Sequence, residues 1–168
     1  MILQALNRMD LRAFLACLGE IFEHSPWVAE SAMAGRPYES VAALHEAMVG
    51  AVRAAPRERQ LALLRAHPDL AGKLALAGEL TRSSIGEQAA AGLDRCSAEE
   101  LERFQNLNGA YKAKFDFPFI MAVKGSSRAD ILEAFEARLA NDPDTEFNTA
   151  LEQVARIARL RLAETIRE

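Results

Sequence analysis

His67 and Glu87 are the two side chains of this sequence best suited, by type and by neighbours, to move a proton. The imidazole sits in Ala66-His67-Pro68-Asp69-Leu70 and the carboxylate in Leu80-Thr81-Arg82-Ser83-Ser84-Ile85-Gly86-Glu87-Gln88, at the two ends of one short connection. An imidazole titrates near neutrality, so such a pair can give and take protons at neutral pH without a cofactor. Each residue also has a structural reading. A histidine at a helix C-terminus interacts favourably with the last carbonyls. Ser84-Ile85-Gly86-Glu87 has the form of a capping box, in which the carboxylate reaches back to the Ser84 amide. The two roles of Glu87 are compatible, because helix N-terminal amides that fix a carboxylate can also receive an anion.

Arg161 is the third candidate. At about 100° per residue it falls on one stripe with Phe147, Leu151, Val154 and Ala158, whereas Arg156, Arg159 and Arg167 point away. An arginine is almost never buried unless paired. On the residues alone it reads as half of a buried ion pair, with Glu20, Glu23 or Glu87. Phe117-Pro118-Phe119-Ile120 is either plain core or an extended backbone whose N–H and C=O groups can pair with the amide-like edge of a ring. His45 reads as a satisfied inner-face histidine, His24 as a helix closer, and Trp27 and Tyr111 as core residues with one polar tip. His67-x-Asp69 with a distant Glu87 is only a weak metal-ligand pattern, and phosphate loops, nucleophile elbows and cofactor lysine signatures are absent, so no metal and no cofactor are expected.

The elements that carry these residues read as helices. Asp10 caps a first helix with Leu11, Phe14, Leu15, Leu18, Ile21 and Phe22 on one stripe. Ser25-Pro26 starts a short helix that Gly35 closes. Ser40 caps a helix with Val41, Leu44, Met48 and Val52 inward. Pro56 opens another, with Leu61 and Leu64 inward, and Pro68 forces it to end at or near His67 because a residue before proline avoids the helical region. Residues 70 to 83 read as a loop with one helical turn around Lys73 to Ala77. Ser83 or Ser84 caps a helix to Gly92. Ser97 to Glu100 is a capping box that opens a long helix with Leu101, Phe104, Leu107, Tyr111 and Phe115 on one face. Phe117 to Val123, interrupted by Pro118, predicts an extended buried connector. Ser127 caps a helix through Leu139, and a last helix runs from about Thr145. The expectation is an all-α fold of roughly eight helices in a single domain, 1–168.

Size and charge narrow the function. A chain of 168 residues, half of them hydrophobic, suits one core. A net charge of −4, a pI near 5.5 and scattered Lys and Arg leave no basic face for nucleic acid. No apolar run approaches the ~20 residues of a membrane helix, and Asp10 and Arg12 interrupt any secretory core near the N-terminus. Cys17 and Cys96 lack zinc-type spacing and read as reduced thiols, and Thr165-Ile166-Arg167-Glu168 is no peroxisomal address. A cytoplasmic protein is expected.

Together with Ile21-Phe22-Glu23-His24-Ser25-Pro26-Trp27, Leu107-Asn108-Gly109-Ala110-Tyr111-Lys112-Ala113-Lys114-Phe115-Asp116-Phe117-Pro118-Phe119-Ile120 and Ile157-Ala158-Arg159-Leu160-Arg161-Leu162, the two islands around His67 and Glu87 resemble the OHCU decarboxylases, OHCU being 2-oxo-4-hydroxy-4-carboxy-5-ureidoimidazoline. The five islands follow the family's order across nearly the whole chain. The resemblance implies cofactor-independent decarboxylation of OHCU to (S)-allantoin and carbon dioxide in urate breakdown. It implies His67 as the catalytic acid/base, assisted by Glu87, and Pro68 as a wall against the ring. Ser84, Ile85, Gly86, Gln88, Phe119, Ile120, Met121, Ala122, Val123 and Arg161 are implied as substrate-binding residues, and the partner chain of a homodimer as the only macromolecular partner. Two other readings stand beside it. One is a non-enzymatic helical interaction module in which His67, Glu87 and Arg161 are a cap and an ion network. The other is a ureidohydrolase or amidohydrolase, a class that usually needs the metal cluster or nucleophile this chain does not display.

Overall fold

Side-chain caps start four helices where the sequence sets them. Asp10 Oδ1 accepts the Ala13 N–H at 2.8 Å and Ser40 Oγ the Ala43 N–H at 3.0 Å. Ser97 with Glu100, and Ser127 with Asp130, close complete capping boxes. In the computed structural model, which describes residues 1–71 and 81–168, the helices are α1 (Leu3–Leu6), α2 (Leu11–Leu18), α3 (Pro26–Ala32), α4 (Val41–Ala54), α5 (Arg57–Arg65), α6 (Arg82–Ala90), α7 (Ala98–Phe115), α8 (Arg128–Leu139) and α9 (Pro143–Thr165). The fold is all-α, and among the described residues the sole strand-like pairing is an isolated bridge between Ile2 and Arg167.

Several local expectations need correction. Helix α1 has too few residues to show a periodicity and is tied down from the far end of the chain, Leu3 N–H to the Arg167 carbonyl at 2.8 Å and Arg167 N–H to the Met1 carbonyl at 2.7 Å. Helix α2 stops at Leu18, and Ile21 and Phe22 are buried from the turns that follow it. Ser25 makes no side-chain cap, leaving Pro26 to set the start of α3. Leu63 and Leu64 face inward from α5, whereas Leu61 is half-buried. The expected turn at Lys73 to Ala77 lies outside the described residues.

The chain divides into two compact units, Met1–Ala66 with Val154–Glu168, and His67–Gln153. The first has Phe14, Leu18, Leu44, Met48 and Leu64 in its core. The second is built on the fully buried Tyr111 ring, with the rings of Phe115, Phe117, Phe119 and Phe135 at centroid distances of 4.6, 5.9, 5.5 and 5.7 Å. Tilted and edge-on pairs of this kind add about 0.5–1.5 kcal/mol each beyond burial. They also anchor both ends of the 117–120 connector to α7 and α8.

Candidate active site

Helix α5 ends at Arg65 with Ala66 as its cap, and His67 lies on the bend that Pro68 requires. The imidazole is buried. The backbone beyond it is held by side chains from two helices. Gln88 Nε2 donates to the Asp69 carbonyl at 3.3 Å and Gln88 Oε1 accepts the Ala71 N–H at 3.1 Å. Asn108 Nδ2 donates to the Leu70 carbonyl at 2.9 Å, and Lys112 Nζ lies 2.6 Å from Asp69 Oδ2. Ala71 has φ +49°, a left-handed conformation that a residue with a Cβ adopts only when its surroundings impose it. These bonds impose it.

Helix α6 departs from its expected start, because Thr81 is the N-cap and its Oγ1 accepts the Ser84 N–H at 3.3 Å. Ser84 is therefore the third helical residue, neither it nor Ser83 is the cap, and Glu87 lies in the second turn. The expected Ser84/Glu87 capping box does not exist in this register. Nor does α6 reach Gly92, which takes φ +74° after the helix ends at Ala90. Ser84 and Gln88, four residues apart, form the buried face of α6. Glu87 flanks that face and is half-buried. Ile85 is exposed, and Gly86 opens to space in which an added Cβ would meet nothing within 4 Å.

Phe117 to Val123 is extended and buried, with Met121 half-buried. Its polar groups divide into two sets. Arg138 Nη1 donates to the Ile120 carbonyl at 2.7 Å, Gln153 Oε1 accepts the Ala122 N–H at 3.0 Å, and the Val123 carbonyl accepts the Ser126 N–H at 3.0 Å. The N–H groups of Phe119, Ile120, Met121 and Val123 have no acceptor among the described residues. Buried backbone donors are normally paired, so these four without a partner, three of them consecutive, are a ready set of contacts for a ligand.

Arg161 lies in the other unit. It is buried, and its Nη1 is 2.8 Å from Glu23 Oε2 and 3.3 Å from the Glu20 carbonyl. Of the partners expected for a structural role, Glu23 is paired with it. His45 Nε2 meets the Ala155 carbonyl at 2.8 Å, and His24 occupies a turn at φ +46°. Among the described residues no three His, Cys, Asp or Glu side chains converge as a metal site.

Four polar residues of this second unit escape the sequence reading: Asn108, Arg138, Glu146 and Gln153. Glu146 is completely buried and accepts Arg138 Nε and Nη2 at 2.8 and 2.5 Å, Asn141 Nδ2 at 2.8 Å, and the Tyr111 hydroxyl. Burial, and then the Glu146 carboxylate, push the Tyr111 phenol far above its ordinary value. The available signal was Glu146 on the inner stripe of α9, one position before Phe147. Asn108 shares the inner face of α7 with Phe104 and Tyr111, and its Oδ1 is buried without a partner among the described residues.

A protein-family model described as OHCU decarboxylase matches residues 7–163. The chain belongs to the OHCU decarboxylase family. A family relative named 2-oxo-4-hydroxy-4-carboxy-5-ureidoimidazoline decarboxylase, from Haloferax volcanii, is 51% identical over 162 residues, which are 96% of this chain and 94% of the relative. The uric acid degradation bifunctional protein of Bacillus subtilis is 46% identical over 163 residues, which are 97% of this chain and 32% of that longer protein. Two solved structures share the fold. One, an (S)-allantoin synthase, has a TM-score of 0.79 at 33% identity, covering 99% of this chain and 54% of its own. The other, an OHCU decarboxylase crystallised in the presence of (S)-allantoin, has a TM-score of 0.70 at 25% identity, covering 92% and 97%.

Proposed function

We propose that this chain, acting as one domain, is a carboxy-lyase that converts OHCU to (S)-allantoin and carbon dioxide in urate breakdown, without a cofactor. One observation carries the reading beyond family membership. The segment that follows His67 is hydrogen-bonded at Asp69 and Ala71 to Gln88, the neighbour of Glu87. The imidazole and the carboxylate are therefore set on a shared, cross-braced frame.

The chemistry asks little of the protein beyond placement and one proton. Breaking the bond to the carboxyl group leaves its electron pair on a ring carbon, and an adjacent C=N can take that pair onto nitrogen. Protonation of the former C=N carbon on one face, as the hydroxyl on the carbon that lost the carboxyl group gives up its proton and becomes a carbonyl, then completes the product and fixes its handedness. The buried surroundings of His67 disfavour a carboxylate and so favour its loss as neutral carbon dioxide. His67 handles the proton with help from Glu87. Pro68 bounds the ring, while Ser84, Gln88 and the donors of residues 119–123 hold its polar edges. Ile85 and Gly86 contribute from the outer side of the α6 turn. Arg161 is retained as a substrate ligand on the family resemblance, with Glu23 as its resting partner.

The test is to generate OHCU in solution from urate with the upstream enzymes and follow the circular dichroism of allantoin as it forms. Faster formation of a single enantiomer supports the reading. Formation at the spontaneous rate, as a racemate, overturns it.

We also infer a homodimer and a cytoplasmic setting. Met1 and Ile2 leave 48 and 52% of their surface exposed, an apolar end suited to a second copy, and light scattering tests it. Cys17 and Cys96 are unpaired, with thiols that burial pushes up, as suits a reducing compartment. Among the described residues no helix is long and apolar enough to cross a membrane.

A further inference from the structure

The extended segment 119–123 is braced by side chains that the proposed chemistry does not use. The Arg138 guanidinium lies over the Phe119 ring at 4.4 Å, and Phe119 stacks on Phe135 at 3.9 Å between centroids. Arg138 itself is fixed by two hydrogen bonds to the fully buried Glu146, leaving Nη1 directed at the Ile120 carbonyl. Burying such an ion pair is costly in desolvation, and an apolar contact would anchor an extended strand at least as well. What a charged fork adds is direction.

That direction reaches Met121 through the rigidity of the peptide unit. The Ile120–Met121 and Met121–Ala122 bonds are trans, so in each the C=O and the N–H point to opposite sides of a planar group. With the Ile120 carbonyl held by Arg138, the Met121 N–H points away from Arg138. With the Ala122 N–H held by Gln153 at 3.0 Å, the Met121 C=O points away from Gln153. Neither Met121 group has a partner among the described residues, and this side chain is half-buried where its neighbours Ile120 and Ala122 are buried.

We propose that Arg138 and Gln153 are positioning residues that lock the two peptide planes flanking Met121, aiming its N–H and C=O as a donor–acceptor pair at the HN–C=O edge of the substrate. Arg138, with Glu146 as its support, fixes the peptide plane before Met121, and Gln153 the one after it. The inference rests on the proposed decarboxylation and deepens it, because it assigns recognition of an amide-like edge to side chains that never touch the ligand.

The experiment uses the full chain. Methionine is labelled with 15N, the Met121 amide is assigned among the five methionines by Met121→Leu, and (S)-allantoin is titrated in. The Met121 amide resonance is expected to shift in the wild type. In Gln153→Leu and Arg138→Lys that shift shrinks, and both KM and the dissociation constant for allantoin rise about tenfold, the equivalent of one lost hydrogen bond. Because His67 and Glu87 are untouched, kcat per folded molecule changes far less than KM, and the pH profile keeps its shape. Gln153→Glu, which retains an acceptor for the Ala122 N–H, restores KM towards the wild-type value. A purely structural role would lower the folded fraction and leave KM and affinity per folded molecule unchanged, and that result overturns the inference. So does a Met121 amide that does not move at saturating allantoin. A wild-type protein that neither accelerates decarboxylation nor binds allantoin overturns the functional reading, and the inference with it. Wild-type turnover with unmoved KM in the variants removes only the positioning role.

Discussion

At the scale of single residues, the ambiguity in Glu87 is the most instructive. A serine three residues before a glutamate at a helix start is a standard cap signature, and on sequence the cap accordingly falls at Ser83 or Ser84. The structure chooses Thr81, and Glu87 loses its capping role. Glu87→Gln should therefore leave the denaturant midpoint nearly unchanged while turnover falls. A melted protein with normal activity per folded molecule would restore the structural reading. His67→Ala is expected to cost roughly 100-fold or more in turnover, the scale of a positioned acid/base. Arg161 went the other way. Its place on an apolar stripe was legible, and its ion pair with Glu23 supports the structural alternative. If it also binds substrate, Arg161→Lys keeps the charge and loses the planar fork, so allantoin affinity falls more than stability. Arg161→Met, which takes the guanidinium away from the buried Glu23 carboxylate, should cost roughly 3 to 5 kcal/mol of stability. A large stability loss with unchanged affinity per folded molecule would leave Arg161 with the structural role alone.

At the scale of elements, helices opened by a serine or aspartate cap or by a proline were legible, the start of α6 was misplaced, and the very short α1 was not legible. Ser40, Ser97 and Ser127 each announce a helix through a local bond that needs no tertiary partner. Helix α1 depends instead on bonds to residues at the far end of the chain, and no local pattern encodes those. The 117–123 connector was readable as a short apolar run interrupted by Pro118. Its anchoring was not, because Arg138 and Gln153 come from α8 and α9. Moving the cap of α6 to Thr81 has a measurable consequence. Thr81→Ala should destabilise the protein by about 1 kcal/mol, while Ser83→Ala stays near neutral. Equal effects at both positions in denaturant titrations would return the cap to the serine pair.

At the scale of the whole molecule, the all-α class and the order of its helices followed from apolar periodicity, but the polar heart of the second unit did not. Tyr111 and Glu146 stand 35 positions apart in sequence, and their pairing emerges only when α7 and α9 pack. Burial of the phenol, and then this pairing, set an alkaline limit. The unfolded chain releases the Tyr111 proton near its ordinary value of about 10, whereas the folded chain keeps it, so the native state holds more protons above that pH. The contribution is fully present below about pH 10 and is lost as pH rises towards the raised native value. Tyr111→Phe should flatten the alkaline fall in denaturant midpoint relative to wild type, and parallel profiles would contradict the assignment.

The most direct test of the central claim is the stereochemical one. OHCU produced from urate in solution should be turned into (S)-allantoin, seen as circular dichroism that grows with wild-type protein and grows no faster than the spontaneous reaction with an equal amount of folded His67→Ala. Equal acceleration by the two proteins would contradict His67 as the proton-handling residue, and a racemic product at the spontaneous rate with wild type would contradict the decarboxylase reading itself.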